Sequence, residues 1–154
     1  MTEEHERKLL AAQGYSELDM HDDAIEQIES LPAAAQRKPA ALEIHLIVLM
    51  HARRWEEALI AGNKLCKAAP DRNAGYIHTA FCLHEIGRTS AARDILLAGP
   101  ESLHAEPTYH YNLACYECRL GNNDLARLHL EKCFALDKKF REFSKIDPDL
   151  AALK

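Results

Sequence analysis

Cys115-Tyr116-Glu117-Cys118 is the pattern of sharpest chemical meaning in this 154-residue chain. Residues three apart share a helical face, so both thiols would point the same way. Such a pair suits a redox couple or half of a metal site. A redox couple normally sits at the start of a helix that follows a strand, where the helix dipole lowers a thiol pKa. Here the pair falls in the middle of a helix-forming run with no strand signal near it. A structural zinc site would need a second closely spaced pair, and Cys66, Cys82 and Cys133 supply none. The competing reading, two small apolar side chains on a packed face, is preferred.

His78 and Cys82, four apart, are a second candidate, with His84 and His110 on neighbouring helical runs. Together with Cys115 and Cys118 they would form a mixed metal site. Nine histidines in the chain make chance spacings easy to find, so no metal ligand and no cofactor is assigned. Enzymatic signals are absent. There is no Gly-rich phosphate loop, nucleophile elbow or His-Glu-x-x-His pair. Ser90, Asp94 and Glu85 read as ordinary turn and surface residues. No catalytic residue is assigned.

Composition narrows the class of function. Hydrophobic residues make up 47% and charged residues 28%, which suits one folded domain spanning 1–154. A net charge of −5 supplies no basic surface for nucleic acid or an anionic membrane. The start, Met1-Thr2-Glu3-Glu4-His5-Glu6, lacks the features of a secretory signal. The longest apolar run, Ile44 to Met50, is far shorter than the ~20 residues of a membrane span. Five cysteines, an odd count, point to reduced thiols. A cytoplasmic location is expected.

The elements that must position any site come from a repeat. Ala24, Ala58, Ala92 and Ala126 are spaced 34 residues apart. Other columns hold the same period: Ala12, Leu46, Ala80, Ala114; Tyr15, Leu49, Leu83, Glu117; Leu18, Ala52, Ile86, Leu120; Ile28, Gly62, Leu96, Leu130; Leu31, Leu65, Gly99, Cys133. A fixed period of this length marks a helical-hairpin repeat. The small columns allow two helices to cross closely, and the larger ones fill the space between hairpins. Turns within hairpins are expected at Asp19-Met20-His21, Arg53-Arg54, Gly87-Arg88-Thr89 and Gly121-Asn122-Asn123. Pro32, Pro39, Pro70, Pro100 and Pro107 punctuate the connections between hairpins.

The run from Tyr111 to Asp137, Tyr-Asn-Leu-Ala-Cys-Tyr-Glu-Cys-Arg-Leu-Gly-Asn-Asn-Asp-Leu-Ala and onward to Phe-Ala-Leu-Asp, resembles a tetratricopeptide repeat. Trp55-Glu56-Glu57-Ala58 with Pro70 resembles the second half of another. The resemblance implies an all-α, right-handed superhelical α-solenoid of four helix-turn-helix units, near 5–38, 39–72, 73–106 and 107–138. Residues 139–154 would cap it, with Phe140, Phe143 and Ile146 on one helical face covering the last hairpin. Three positions depart from the pattern: Arg53 stands where glycine is usual, and Gly62 and Gly99 stand where large apolar residues are usual. The Asp147-Pro148-Asp149-Leu150 ending is similar to those of small bacterial repeat proteins, which implies a bacterial origin.

In this family the first helix of each hairpin lines a concave groove that holds a partner peptide or helix. Carried onto this chain, the groove comprises Leu9, Gln13, Ser16 and Glu17; Glu43, Ile47, Met50 and His51; Ile77, Phe81, His84 and Glu85; Tyr111, Cys115, Cys118 and Arg119. Its apolar members, Leu9, Ile47, Met50, Ile77, Phe81 and Tyr111, would form a continuous strip of the kind that marks a partner site. Burial of these side chains between first helices, or beneath the C-terminal tail, is the main competing reading. The family's clamp for chaperone C-termini needs Lys, Arg and Asn. The matching positions hold Leu9, Gln13, Ile44, Ala74 and His78, or Glu43, Ile47, His78, Thr108 and Asn112. A carboxylate clamp of that kind is therefore excluded. The expected function is a non-enzymatic scaffold binding a protein or peptide, as a monomer or weak homodimer. The alternatives are a small chaperone like those of type III secretion, which usually have three repeats, and a thiol- or metal-dependent protein built on Cys115 and Cys118.

Overall fold

The computed structural model describes residues 1–154. Four antiparallel helical pairs succeed one another: α1 (Glu3–Glu17) with α2 (His21–Glu29), α4 (Pro39–His51) with α5 (Trp55–Ala68), α6 (Asn73–Glu85) with α7 (Thr89–Leu97), and α8 (Pro107–Arg119) with α9 (Asn123–Leu136). A single-turn α3 (Ala33–Gln36) and a 3-10 helix (Glu101–Ala105) fill two of the connections. The cap is α10 (Phe140–Ile146) followed by a 3-10 helix (Pro148–Leu153). No strand forms, and no helix is long and apolar enough to cross a membrane. The fold is the expected all-α solenoid.

The 34-residue period extends to backbone geometry. Asp19, Arg53, Gly87 and Gly121 all have positive φ, between 57° and 88°. Each is followed by an amide that reaches back to close the turn: Met20 to Tyr15, Arg54 to Leu49, Arg88 to Leu83 and Asn122 to Glu117, at 2.8–2.9 Å. This is a left-handed helix stop repeated four times. Glycine takes that conformation without strain, whereas Asp19 and Arg53 carry a Cβ into it.

The alanine columns do what their size suggests. Ala24, Ala58, Ala92, Ala126, Ala12, Ala80 and Ala114 are all fully buried at helix crossings. The column of Leu18, Ala52, Ile86 and Leu120 differs from expectation. It falls at the helix ends, where Leu18 is 71% exposed and Leu120 is also exposed. Glu117, in an otherwise apolar column, is buried with Arg93 Nη1 at 3.5 Å and Asn122 Nδ2 at 3.4 Å. Those two donors replace part of the water the carboxylate loses.

The two unusual glycines are filled from neighbours. A Cβ on Gly62 would lie 2.2 Å from Thr79 Oγ1, so α5 and α6 approach there until Thr79 occupies the missing side chain's place. A Cβ on Gly99 would lie 2.4 Å from Leu103 Cδ1. Leu103, fully buried, comes from the 3-10 helix that compensates for the short α7.

The cap covers the stack only partly in the way expected. No residue of α10 is buried; Phe143 is 58% and Ile146 81% exposed. Phe140 packs against the last hairpin as expected and Phe143 touches it, but the deepest cover comes from the terminal 3-10 helix, whose Leu150 is 1% exposed and joins the core of α8 and α9.

Candidate functional site

The first-helix residues expected to line a groove fall in different environments. Leu9 is buried in the core of the first two hairpins, so it does not line an open groove. Ser16 is also buried, its hydroxyl 2.9 Å from His51 Nδ1 on the next first helix. Gln13, Glu17, Ile47 and His51, with Ile44 and Val48, surround a small concavity of about 70 Å³. Glu43 is tied to Arg72 at 2.9 Å along the groove edge.

The larger concavity, about 450 Å³, lies between α4, α6, α8 and the cap. Met50, Ile77, Phe81, Tyr111, Phe140 and Phe143 give it an apolar lining, and His78 and His84 also reach it. Phe81 is braced edge-on by Trp55, ring centroids 5.8 Å apart. The open apolar strip is therefore divided into two concavities and lacks Leu9.

Tyr111, Cys115 and Cys118 are buried rather than exposed on the groove wall. The C-terminal tail covers Tyr111 and Cys115. The Tyr111 ring packs against Phe140 at 5.1 Å and Phe143 at 5.8 Å. Its hydroxyl donates to Asp147 Oδ2 at 2.6 Å. Burial first, and then that carboxylate, push the Tyr111 pKa far up, so the hydroxyl keeps its proton and remains a donor. The Cys115 thiol donates to the same oxygen at 3.8 Å. Asp147 Oδ1 accepts the Asp149 N–H at 3.0 Å, which starts the terminal 3-10 helix.

Asp149 completes the latch. Its Oδ2 lies 3.0 Å from His84 Nε2, and its Oδ1 lies 3.8 Å from Arg119 Nε. A carboxylate only accepts, so His84 Nε2 carries the proton. His84 Nδ1 then faces the Thr89 hydroxyl at 2.9 Å, and its ring leans on Tyr116 at 4.9 Å.

The chemistry proposed for the cysteines changes accordingly. Cys115, Asp147 and Asp149 bring three potential metal-binding atoms within 4.8 Å of one another. Both carboxylates are already engaged by Tyr111, His84, Arg119 and a backbone amide. Burial, followed by the Asp147 and Asp149 charges, holds the Cys115 thiol far above the ordinary thiol range. A thiol so protonated is a poor nucleophile. All five cysteines are free. Cys82 is buried in the core, its pKa pushed up to about 11 chiefly by desolvation. His110 points elsewhere: its Nε2 donates to the His104 carbonyl at 2.8 Å, and it lines a separate cavity with His129. The mixed His/Cys site suggested by spacing does not assemble.

Asp147, Asp149 and Leu150 are the site residues that spacing did not single out. Their signal was the Asp-Pro-Asp-Leu sequence itself, since Asp before Pro is a natural helix start.

No protein-family model and no curated protein matches the chain. Solved structures do. MamA RS-1 ArsTM double mutant superposes with a TM-score of 0.78 at 15% identity, over 90% of this chain and 78% of that one. The crystal structure of MamA gives 0.78 at 14% identity, over 90% and 81%. MamA MSR-1 C2 gives 0.74 at 19% identity, over 88% and 78%. At these identities the likeness establishes a shared solenoid fold.

Proposed function

We propose that this chain is a non-enzymatic adaptor that holds an apolar segment of a partner protein in the concavity between α4, α6, α8 and the cap. One observation carries the reading. Met50, Ile77, Phe81 and Phe143 line a single open cavity of about 450 Å³, and Phe143 is more than half exposed. Apolar side chains grouped in an open concavity gain free energy when a partner removes them from water. The fold shared with MamA is compatible with this role, because stacked hairpins offer an extended concave surface.

Affinity capture with quantitative mass spectrometry tests the proposal. Phe81→Glu and Met50→Glu should each deplete the captured partners at least tenfold. Leu97→Glu, on an exposed position of α7 outside the cavity, should not. Equal recovery with all four proteins would refute the groove as the binding site.

A further inference from the structure

The C-terminal tail is seated against α6 and α8 by a compact set of side-chain contacts. Four donors on two helices converge on its two carboxylates. Tyr111 and Cys115 of α8 serve Asp147; His84 of α6 and Arg119 at the end of α8 serve Asp149. One residue further on, Leu150 fills an apolar seat among the core side chains of α8 and α9. The seated residues are thus two acids, i and i+2, followed directly by leucine, and each acid meets groups that donate to it.

The acidic part of the seated tail is only partly covered. Phe143 touches Tyr111 by one ring edge and is still more than half exposed, and Ile146 is largely exposed. Asp147 and Asp149 are only half-buried, and both line the same open cavity as Met50, Ile77 and Phe81. A peptide entering that cavity meets the donors the tail is using.

We infer that the C-terminal end of the groove is a binding site for acidic peptides of the pattern Asp/Glu-x-Asp/Glu-Leu, and that the chain's own residues 147–150 occupy it until such a partner segment displaces them. This inference rests on the groove being the partner site, and it adds the partner's chemistry and a built-in competitor. The tail sets a threshold, because any ligand must bind better than a segment present at high effective concentration.

The probe is a fluorescein-labelled synthetic peptide of residues 139–154, followed by fluorescence anisotropy. It is titrated into the full-length wild type and into a full-length variant carrying Asp147→Asn, Asp149→Asn and Leu150→Ser, which weaken its own tail. The variant should bind the peptide at least tenfold more tightly than the wild type does. A peptide bearing the same three substitutions should not bind. The single variant Asp149→Asn leaves Leu150 seated and should show an intermediate gain, which keeps the test open if the triple variant does not fold. Circular dichroism establishes which variants are folded. The inference is overturned if the folded variants bind the native and substituted peptides equally, or bind the native peptide no better than the wild type does. That failure, with partner capture still sensitive to Phe81→Glu, would remove the peptide code and leave the adaptor reading intact. Loss of the Phe81→Glu effect would remove the adaptor reading instead.

Discussion

The Tyr111 hydroxyl and the Asp147 carboxylate, 36 residues apart in sequence, meet at 2.6 Å and fasten the C-terminal tail to the groove wall. A hydrogen bond to a charged acceptor contributes about 1.5–3 kcal/mol. Tyr111→Phe keeps the ring's packing on Phe140 and Phe143 and removes only this bond. The variant should lose about 1–2 kcal/mol in denaturant unfolding, and amide exchange should accelerate first in residues 139–154. Unchanged exchange in the tail would show that Leu150 alone holds it.

Arg53 occupies the left-handed turn position that Gly87 and Gly121 fill in later hairpins. The strain of a side chain there is on the order of 1 kcal/mol. Arg53→Gly should raise the unfolding free energy by about 0.5–1 kcal/mol, although it removes a side chain and loosens the unfolded chain. A decrease would show that Arg53 makes compensating contacts.

Gly62 and Thr79 are a matched pair at the α5–α6 contact. Gly62→Ala places a methyl within 2.2 Å of Thr79 Oγ1 and should destabilise by about 1–3 kcal/mol. Adding Thr79→Ala removes that atom, so the double variant should recover part of the loss. Strict additivity of the two changes would contradict a direct clash.

Acid should weaken the fold through histidines buried in neutral form. Desolvation is the largest cause lowering His45, His78 and His129, the last to about 4. Well above pH 6.5 these rings are neutral whether the chain is folded or not, and they exert no pH effect. Between 6.5 and about 4 the unfolded chain takes up protons that folded His129 refuses, so stability falls as pH falls. His129→Gln should flatten this part of the profile. An unaltered slope would place the acid sensitivity elsewhere.

Cys115, once the sharpest candidate for chemistry, should be inert. Its buried, protonated thiol beside Asp147 should react with iodoacetamide at pH 8 at least a hundredfold more slowly than after unfolding. Tyr111→Phe, by loosening the tail, should raise the native rate. Rapid labelling of the intact wild type would contradict the covering tail.

Much of this molecule was legible in its residues. Alanines 34 apart placed the helix crossings, and all four hairpin turns fall where the turn residues were read. Local chemistry and strict periodicity sufficed there. Residues whose surroundings depend on distant chain were not legible. Leu9 looked like a groove residue because a first helix has two apolar sides, and only the packing of neighbouring hairpins decides which is covered. Phe140, Phe143 and Ile146 had the spacing of a covering face, yet Ile146 faces away and the deepest anchor of the tail is Leu150. Tyr111, Cys115 and His84 share a role because the chain folds back over 30 residues or more, and no spacing rule encodes that.

The most direct measurement is hydrogen–deuterium exchange of the full-length chain with and without a captured partner. The account predicts new protection in the C-terminal halves of α4 and α6, around Met50 and Phe81, with altered exchange in residues 139–154. Protection confined to the second helices α5, α7 and α9, with these regions unchanged, would contradict it.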